Sequence, residues 1–397
     1  MLAFSSGMGT SVNTKVATQE CVEIAMGEGG GADCDLIALH STMGHNPNQV
    51  IAALRNACPN ATIIGCTGSG VIGREGVSES MRSLAIMTVQ GKEFSVASAD
   101  GLNGDNSFEL EERVAREIKE NHPDVNMLYL LTSGLDLRSD QVIEGVESVF
   151  GPEMPIFGAT AADNGKAIKT LQFHDDLVME HGVVLAGFAD PTLELVLGIH
   201  HGSVPLESMK FEITKSDGNK IIELDGEPAW PTLMAKLDLP ADSEAAETMG
   251  MTGLGVDLSP EDGEAYDNPQ VLRVPLVVED DHQSFRLPTT CPEGSHVALM
   301  QRDEQRIFDG VERMNGELNG RRPAAVFHAD CMARGRLTFN RVLKDEIIAK
   351  TQYPVCGEDD VPWLGVYGYS EYAPLRGKNQ FHSYTTSIFA LVRKEGA

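Results

Sequence analysis

The chain has 397 residues, 42% of them hydrophobic and 23% charged, and a formal net charge of −28 at pH 7; that length exceeds what one ordinary core supports, so two domains are expected. The negative charge repels phosphate backbones and anionic bilayers, which argues against nucleic acid and membrane surfaces as partners. No apolar run approaches the roughly 20 residues that span a bilayer, the first residues lack the basic start of a signal peptide, and the seven cysteines show no paired spacing, so a cytoplasmic protein without a disulfide framework is expected.

In chain order, Leu2 to Ser5 reads as a first strand and Thr14 to Met26 as a helix, with Val16, Cys21, Val22 and Ile24 on its apolar face. The apolar run Leu36 to His40 then leads to a helix near 48–57, announced by Asn46-Pro47, and to a strand ending in Gly65-Cys66-Thr67-Gly68-Ser69-Gly70. The same order returns as Leu128 to Thr132, a helix opening at Gln141-Val142-Ile143, and a strand ending in Gly158-Ala159-Thr160-Ala161-Ala162-Asp163-Asn164. A looser third copy runs through Ala325 to His328, a helix near 341–350, and Gly365-Val366-Tyr367-Gly368-Tyr369-Ser370-Glu371.

Between the copies the pattern turns antiparallel. Ser83 to Thr88 with Phe94 to Ala99, and Gly182 to Phe188 with Leu193 to His200, are expected to form hairpins around Gln90-Gly91-Lys92 and Asp190-Pro191. Phe108 to Asn121 is an amphipathic helix. After a helix at Trp230 to Leu237, short strands alternate with turns up to about Met300, and a helix from Asp303 to Leu318 precedes the third copy. The expected fold is α/β with α+β character: two domains, 1–230 and 231–397, with mixed sheets built from repeated strand-helix-strand-hairpin units.

The three glycine-bearing turns carry the candidate chemistry. Backbone N–H groups freed by glycine, with the hydroxyls of Thr67 and Ser69, can hold an anion, although neither P-loop nor Rossmann spacing is present. Thr160, Asp163 and Asn164 form a second polar wall. Arg334, following Cys331, can grip a carboxylate, and Tyr367, Tyr369 and Glu371 beside it suit an amino-acid-like ligand. Each of these has an ordinary structural alternative: a glycine turn, a salt bridge, cross-strand packing. Cys331 beside His328 and Asp330 leaves a cysteine nucleophile as a further reading. No CxxC or HExxH supports a metal site; a noncovalent haem, needing only one imidazole, stays open as a cofactor.

Taken in order, Gly65-Cys66-Thr67 with Gly70, Phe157 to Asn164, His201-Gly202 with Pro205, and Leu224-Asp225-Gly226-Glu227-Pro228-Ala229 resemble the FIST family. So do Cys331 with Arg334-Gly335, Gly365 to Glu371, and Phe381-His382. The resemblance covers almost the whole chain, with Ser370 and Ser383 standing where the family more often has Gly and Asn. It implies a FIST N-terminal and a FIST C-terminal domain and a sensory rather than enzymatic protein, binding an amino-acid-like metabolite and signalling in trans to a protein partner. The alternative it implies is a haem-binding nitric-oxide sensor working with a histidine kinase or cyclic-di-GMP enzyme.

Overall fold

The computed structural model describes every residue except 28–33, 249, 276, 319, 336–340, 358, 395 and 397. Among the described residues the chain forms three six-stranded mixed sheets and one eight-stranded sheet. Each six-stranded sheet is built on a parallel pair: Leu36–Thr42 with Thr62–Gly68, Met127–Thr132 with Ile156–Thr160, and Pro323–Cys331 with Trp363–Gly368. The crossover helices are Pro47–Ala57, Ser139–Phe150 and Arg341–Cys356. The first begins where the sequence signals it, with the Asn46 side chain accepting from the Gln49 N–H at 3.1 Å and proline in the first turn. The central strands read as unbroken apolar runs because both of their faces are covered.

Around each pair the order of strands is the same. An antiparallel return strand (Leu84–Gln90, Val183–Phe188 or Thr386–Arg393) flanks the first member, and the opening strand (Ala3–Gly9, Phe94–Ala99 or Leu193–His200) lies beyond it. The second member receives a hairpin, and that hairpin comes from a different unit. Val71–Gly73 of the first unit pairs with the third unit's Trp363–Gly368. Gln172–His174 of the second pairs with the first unit's Thr62–Gly68, and Glu371–Leu375 of the third pairs with the second unit's Ile156–Thr160. The three units are thus locked in a ring by exchange of hairpins.

In two places the strand pairing differs from the sequence expectation. The hairpins at Gln90-Gly91-Lys92 and Asp190-Pro191 do not form, because the strands on either side of each turn belong to different sheets. Leu84–Gln90 already lies between Ala3–Gly9 and Leu36–Thr42, and Val183–Phe188 between Phe94–Ala99 and Met127–Thr132. With both edges taken, neither return strand can accept the strand that follows it, and the turns instead carry the chain into the next unit.

All three sheets turn one face onto a common core that includes Ala38, Ile64, Leu131, Phe157, Phe327 and Phe389. At its centre the rings of Tyr129 and Phe327 lie 4.7 Å apart and those of Phe157 and Phe389 5.2 Å apart. The outer face of each sheet packs on its own helices, giving one satellite core per unit. The eight-stranded sheet is an insertion into the third unit, running from the long strand Ser203–Asp217 to His296–Arg302. Residue 230, where the two-domain reading places its boundary, lies in this insertion: Trp230 is fully buried on the helix Ala229–Lys236 and packs edge-on to Phe285.

Candidate functional site

The three glycine turns meet at the centre of the ring, at matching positions. The Ser69 N–H donates to the Tyr367 carbonyl at 2.8 Å, the Tyr369 N–H to that of Thr160 at 3.4 Å, and the Ala162 N–H to that of Thr67 at 2.9 Å. Ser69, Ala162 and Tyr369 are equivalent in the three copies, as are Thr67, Thr160 and Tyr367, so each turn hydrogen-bonds the next around the ring. The glycine shared by all three copies also has a steric cause. A Cβ on Gly65 or Gly158 would sit 2.0 or 1.9 Å from the carbonyl oxygen of Leu39 or Leu130, and one on Gly365 2.8 Å from that of His328.

Because the fold is stated three times, residues common to the copies serve the fold, and departures point elsewhere. The strands that pair with the turns end in Ser41-Thr42 in the first unit and Thr132-Ser133 in the second, but in Asp330-Cys331 in the third. Each makes the same backbone bond to the residue before the return strand: Thr42 to Ser83, Ser133 to Gly182, Cys331 to Thr385, at 3.0, 2.8 and 2.9 Å. At the start of the exchanged hairpins stand Val71, Gln172 and Glu371, paired with Val366, Cys66 and Ala159. Only the third unit fills both places with acids and adds Arg334 beside them. Buried ionisable groups cost stability unless paired, so this concentration calls for a role beyond folding.

Arg334 sits on the one-turn helix Met332–Arg334, which follows the Pro323–Cys331 strand directly and so aims the guanidinium back at that strand's end. Its Nε donates to Asp330 Oδ1 at 3.0 Å and its Nη1 to the His201 carbonyl at 3.2 Å, while Nη2 is buried without a hydrogen-bond partner. Asp330 is fully buried, and that burial outweighs the nearby guanidinium and lifts its carboxyl to about 6. His328 Nε2 lies 3.7 Å from Asp330 but 2.8 Å from the Thr386 hydroxyl. Burial depresses His328 to about 3, so it is neutral and forms no ion pair. His201 and His382, lowered by burial to about 4 and about 3, are neutral too, each with both ring nitrogens hydrogen-bonded.

Glu371 is fully buried. The Thr385 hydroxyl donates to its Oε2, and its Oε1 has no partner. Desolvation, reinforced by the charge of Asp330, pushes it well above the carboxylate range, so it is a neutral acid able to donate a hydrogen bond. Next to Arg334 lies a cavity of about 30 Å³ lined by His201, Ser203, Arg302, Arg334 and Tyr384, with Gly250 and Gly253. That is room for about two waters, or for one carboxylate group, bordered by two guanidinium groups.

The Thr67 hydroxyl accepts the Leu171 N–H at 3.0 Å. Asp163 takes four backbone N–H groups, from Lys166 through Lys169, at 2.8–3.0 Å, and the Tyr369 hydroxyl as well, so it anchors its own loop. Asn164 donates to the Ser69 carbonyl at 3.3 Å, while its Oδ1 and the Thr160 hydroxyl are buried without partners. Ser69 Oγ faces Met332 Sδ at 3.5 Å, and Tyr367 is buried among the same turns. The Cys331 thiol points to the Tyr369 carbonyl at 3.5 Å and is raised well above its usual value by burial, which removes the thiolate that a nucleophile needs. Sequence reasoning missed Gln172, Arg302, Tyr384 and Thr385. Laying the three copies over one another would have flagged Glu371 and Asp330 as departures, but Arg302 belongs to the insertion, which has no counterpart.

The residues present do not fit a haem. His200 alone among the central histidines has both ring nitrogens without a hydrogen bond, yet it is wedged against Gly202 and Gly310, where even an added Cβ would lie 2.0–2.9 Å from the ring. The neighbouring cavity of about 30 Å³ is far too small for a porphyrin. Among the described residues no cluster of His, Cys, Asp and Glu is arranged to hold a metal ion, and no helix is long and apolar enough to cross a membrane.

The described residues thus form a ring of three α/β units, one of which is specialised by a buried guanidinium and two buried acids. The chain belongs to the FIST family: residues 35–227 match the FIST N domain and residues 236–374 the FIST C domain. FIST domains are sensory domains of signal transduction proteins. Uncharacterized proteins of Mycobacterium bovis and Mycobacterium tuberculosis are each 23% identical over 97% of this chain and 98% of their own. One from Methanocaldococcus jannaschii is 26% identical over 48% of this chain and 38% of its own. Among solved structures, a cyanuric acid hydrolase from A. caulinodans covers 98% of this chain and 99% of its own at 9% identity and a TM-score of 0.37, too low to carry a functional argument. Ser370 and Ser383 are hydrogen-bonded to each other at 3.2 Å.

Proposed function

We propose that this chain is a sensor that takes the carboxylate of a small, amino-acid-like metabolite at the centre of its third unit and reports occupancy in trans to a signalling partner. The observation that carries the reading is the buried Arg334 guanidinium, with one nitrogen without a hydrogen bond, lining a small cavity beside Arg302. A carboxylate there completes the guanidinium's hydrogen bonding. The cavity admits the carboxylate group only, so the rest of the ligand requires the lining segment of Gly250 and Gly253 to give way. The walls come from two bodies, Leu272, Met300 and Arg302 from the inserted sheet and Ala333, Arg334 and Tyr384 from the third unit. Occupancy therefore favours one arrangement of the insertion against the ring, which is the differential binding that a sensor requires.

Isothermal titration of the full chain against a panel of amino acids and short carboxylates tests this. One or more members should bind, with affinity falling at least tenfold in Arg334→Lys and in Arg302→Gln. Arg302 is exposed, so its replacement should leave the fold intact, which an unchanged melting temperature checks. Silence across the panel, or undiminished binding by both variants, rules the site out.

A further inference from the structure

A second, larger cavity, of about 370 Å³, lies where the Ser139–Phe150 helix of the second unit, the inserted sheet and the third unit's exchanged hairpin come together. That is the size of an ordinary metabolite pocket, and the proposed sensing site makes no use of it. Its walls differ in chemistry. One is apolar, made by Ile213, Val256, Leu287, Val297 and Phe381. The other is the helix, which presents Asp140, Glu144 and Glu147 at a spacing that places all three on one face.

The basic residue of the lining, Arg273, is committed to the protein. Its Nε donates to the Thr289 hydroxyl at 3.0 Å, its Nη1 to the carbonyls of Leu272 and Phe381 at 2.8 and 2.9 Å, and its guanidinium lies 5.8 Å over the Phe381 ring. The acids are less fully engaged. Asp140 Oδ2 accepts the Thr290 N–H at 3.1 Å, but its Oδ1 is buried with no partner. Glu147 Oε1 accepts from Asn379 at 2.9 Å, and Glu144 is exposed at the mouth with a single neutral donor, Gln141, on Oε2 at 2.7 Å. The cavity thus combines a preformed apolar surface with carboxylate oxygens to which no cation is hydrogen-bonded, Arg273 being spent on neutral acceptors, in a protein of net charge −28 that already concentrates cations around itself.

We propose that this cavity is a second ligand site for a small organic cation with an apolar body, a primary aryl- or alkylamine. The ammonium sits between Asp140 and Glu144, and the body lies on Ile213, Val256 and Phe381. A free carboxylate on the ligand is selected against, because it would face three acids across a partly enclosed space.

The test is calorimetric titration, at low ionic strength, of the full-length Arg302→Gln protein, in which the carboxylate site beside Arg334 is weakened, with three probes of matched body: 2-phenylethylamine, phenylalanine and 3-phenylpropionate. The amine should bind and the propionate should not, with phenylalanine at least tenfold weaker than the amine. Raising the salt should weaken the amine. Glu144→Lys, a change on an exposed helix position, and Asp140→Asn should each reduce amine affinity at least tenfold, while the melting temperature of Glu144→Lys stays within a few degrees of the parent. No heat from the amine, equal or tighter binding of phenylalanine or phenylpropionate, or amine affinity unchanged in Glu144→Lys would each overturn the assignment.

Discussion

Glu371 occupies in the third unit the place that Gln172 holds in the second. Each side chain accepts the backbone N–H of the residue before its unit's return strand, Glu371 from Thr385 at 3.4 Å and Gln172 from Gly182 at 2.7 Å. The slot therefore suits an amide, and the acid fits it in its neutral form. A carboxyl whose folded pKa is raised contributes stability fully present below its unfolded value of roughly 4.3 and lost as pH rises toward the folded value. Glu371→Gln should accordingly match the parent near pH 4 and become the more stable protein as pH rises. Urea midpoints at pH 4, 6 and 8 check this; a Gln variant that is less stable at pH 8 contradicts it.

The same sign applies at Glu111, fully buried on the helix Ser107–Asn121 with neither oxygen hydrogen-bonded and lifted by desolvation to about 8. Stability should drain away between roughly pH 4.5 and 8, and Glu111→Gln should recover on the order of a few kcal/mol at pH 8 and little at pH 4. Thermal unfolding of both proteins across that range gives the difference directly.

Asp330 neutralises the charge of Arg334 only while ionised, although its oxygen can accept from Nε in either state. As pH falls through about 6, its protonation releases the guanidinium for an outside anion, while His328, already neutral at about 3, does not compete. Affinity for a carboxylate ligand should rise as pH drops from 7 to 5, by up to tenfold per pH unit for a single coupled proton. Asp330→Asn should remove that pH dependence and, because burial keeps the Asp330 carboxyl raised despite the guanidinium, should leave the protein at least as stable as the parent at pH 7. Titrations at pH 7, 6 and 5 settle the first point and chemical denaturation the second.

The turn glycines should rank by the contact each one avoids. Gly65→Ala and Gly158→Ala press a Cβ to 2.0 and 1.9 Å from a neighbouring strand's carbonyl, against 2.8 Å for Gly365→Ala. The first two should destabilise by more than about 2 kcal/mol and the third by less, read as shifts in denaturant midpoint.

Thiol chemistry separates sensing from cysteine catalysis. All seven cysteines are buried, and Cys331 is raised well above its usual range, so alkylation by iodoacetamide in the native protein should be slow everywhere and no faster at Cys331 than at Cys66. Peptide mapping after a timed exposure shows whether any site reacts selectively.

Much of this fold was legible in the sequence. The helices at Thr14–Met26 and Pro47–Ala57 and the three strand–helix–strand units are written in local periodicity and caps, where a residue's neighbours in sequence are also its neighbours in space. The meeting of the three turns could also be anticipated, since repeated units place equivalent loops at equivalent points. What single residues do there could not. Asp163 looked like a ligand anchor and is spent on four amides of its own loop.

The chain's own letters determined that there are three copies, where their elements lie, and that the third carries the unusual acids. Only the tertiary structure decided which strands pair, that Val71, Gln172 and Glu371 each cross into another unit's sheet, and that Arg334 is left with one nitrogen without a hydrogen bond. The physical reason is one of range. Alternation and capping are fixed within a few residues, whereas a strand's partner depends on which sheet edge remains open after the rest of the chain has packed, and burial of a charge depends on every element that closes over it.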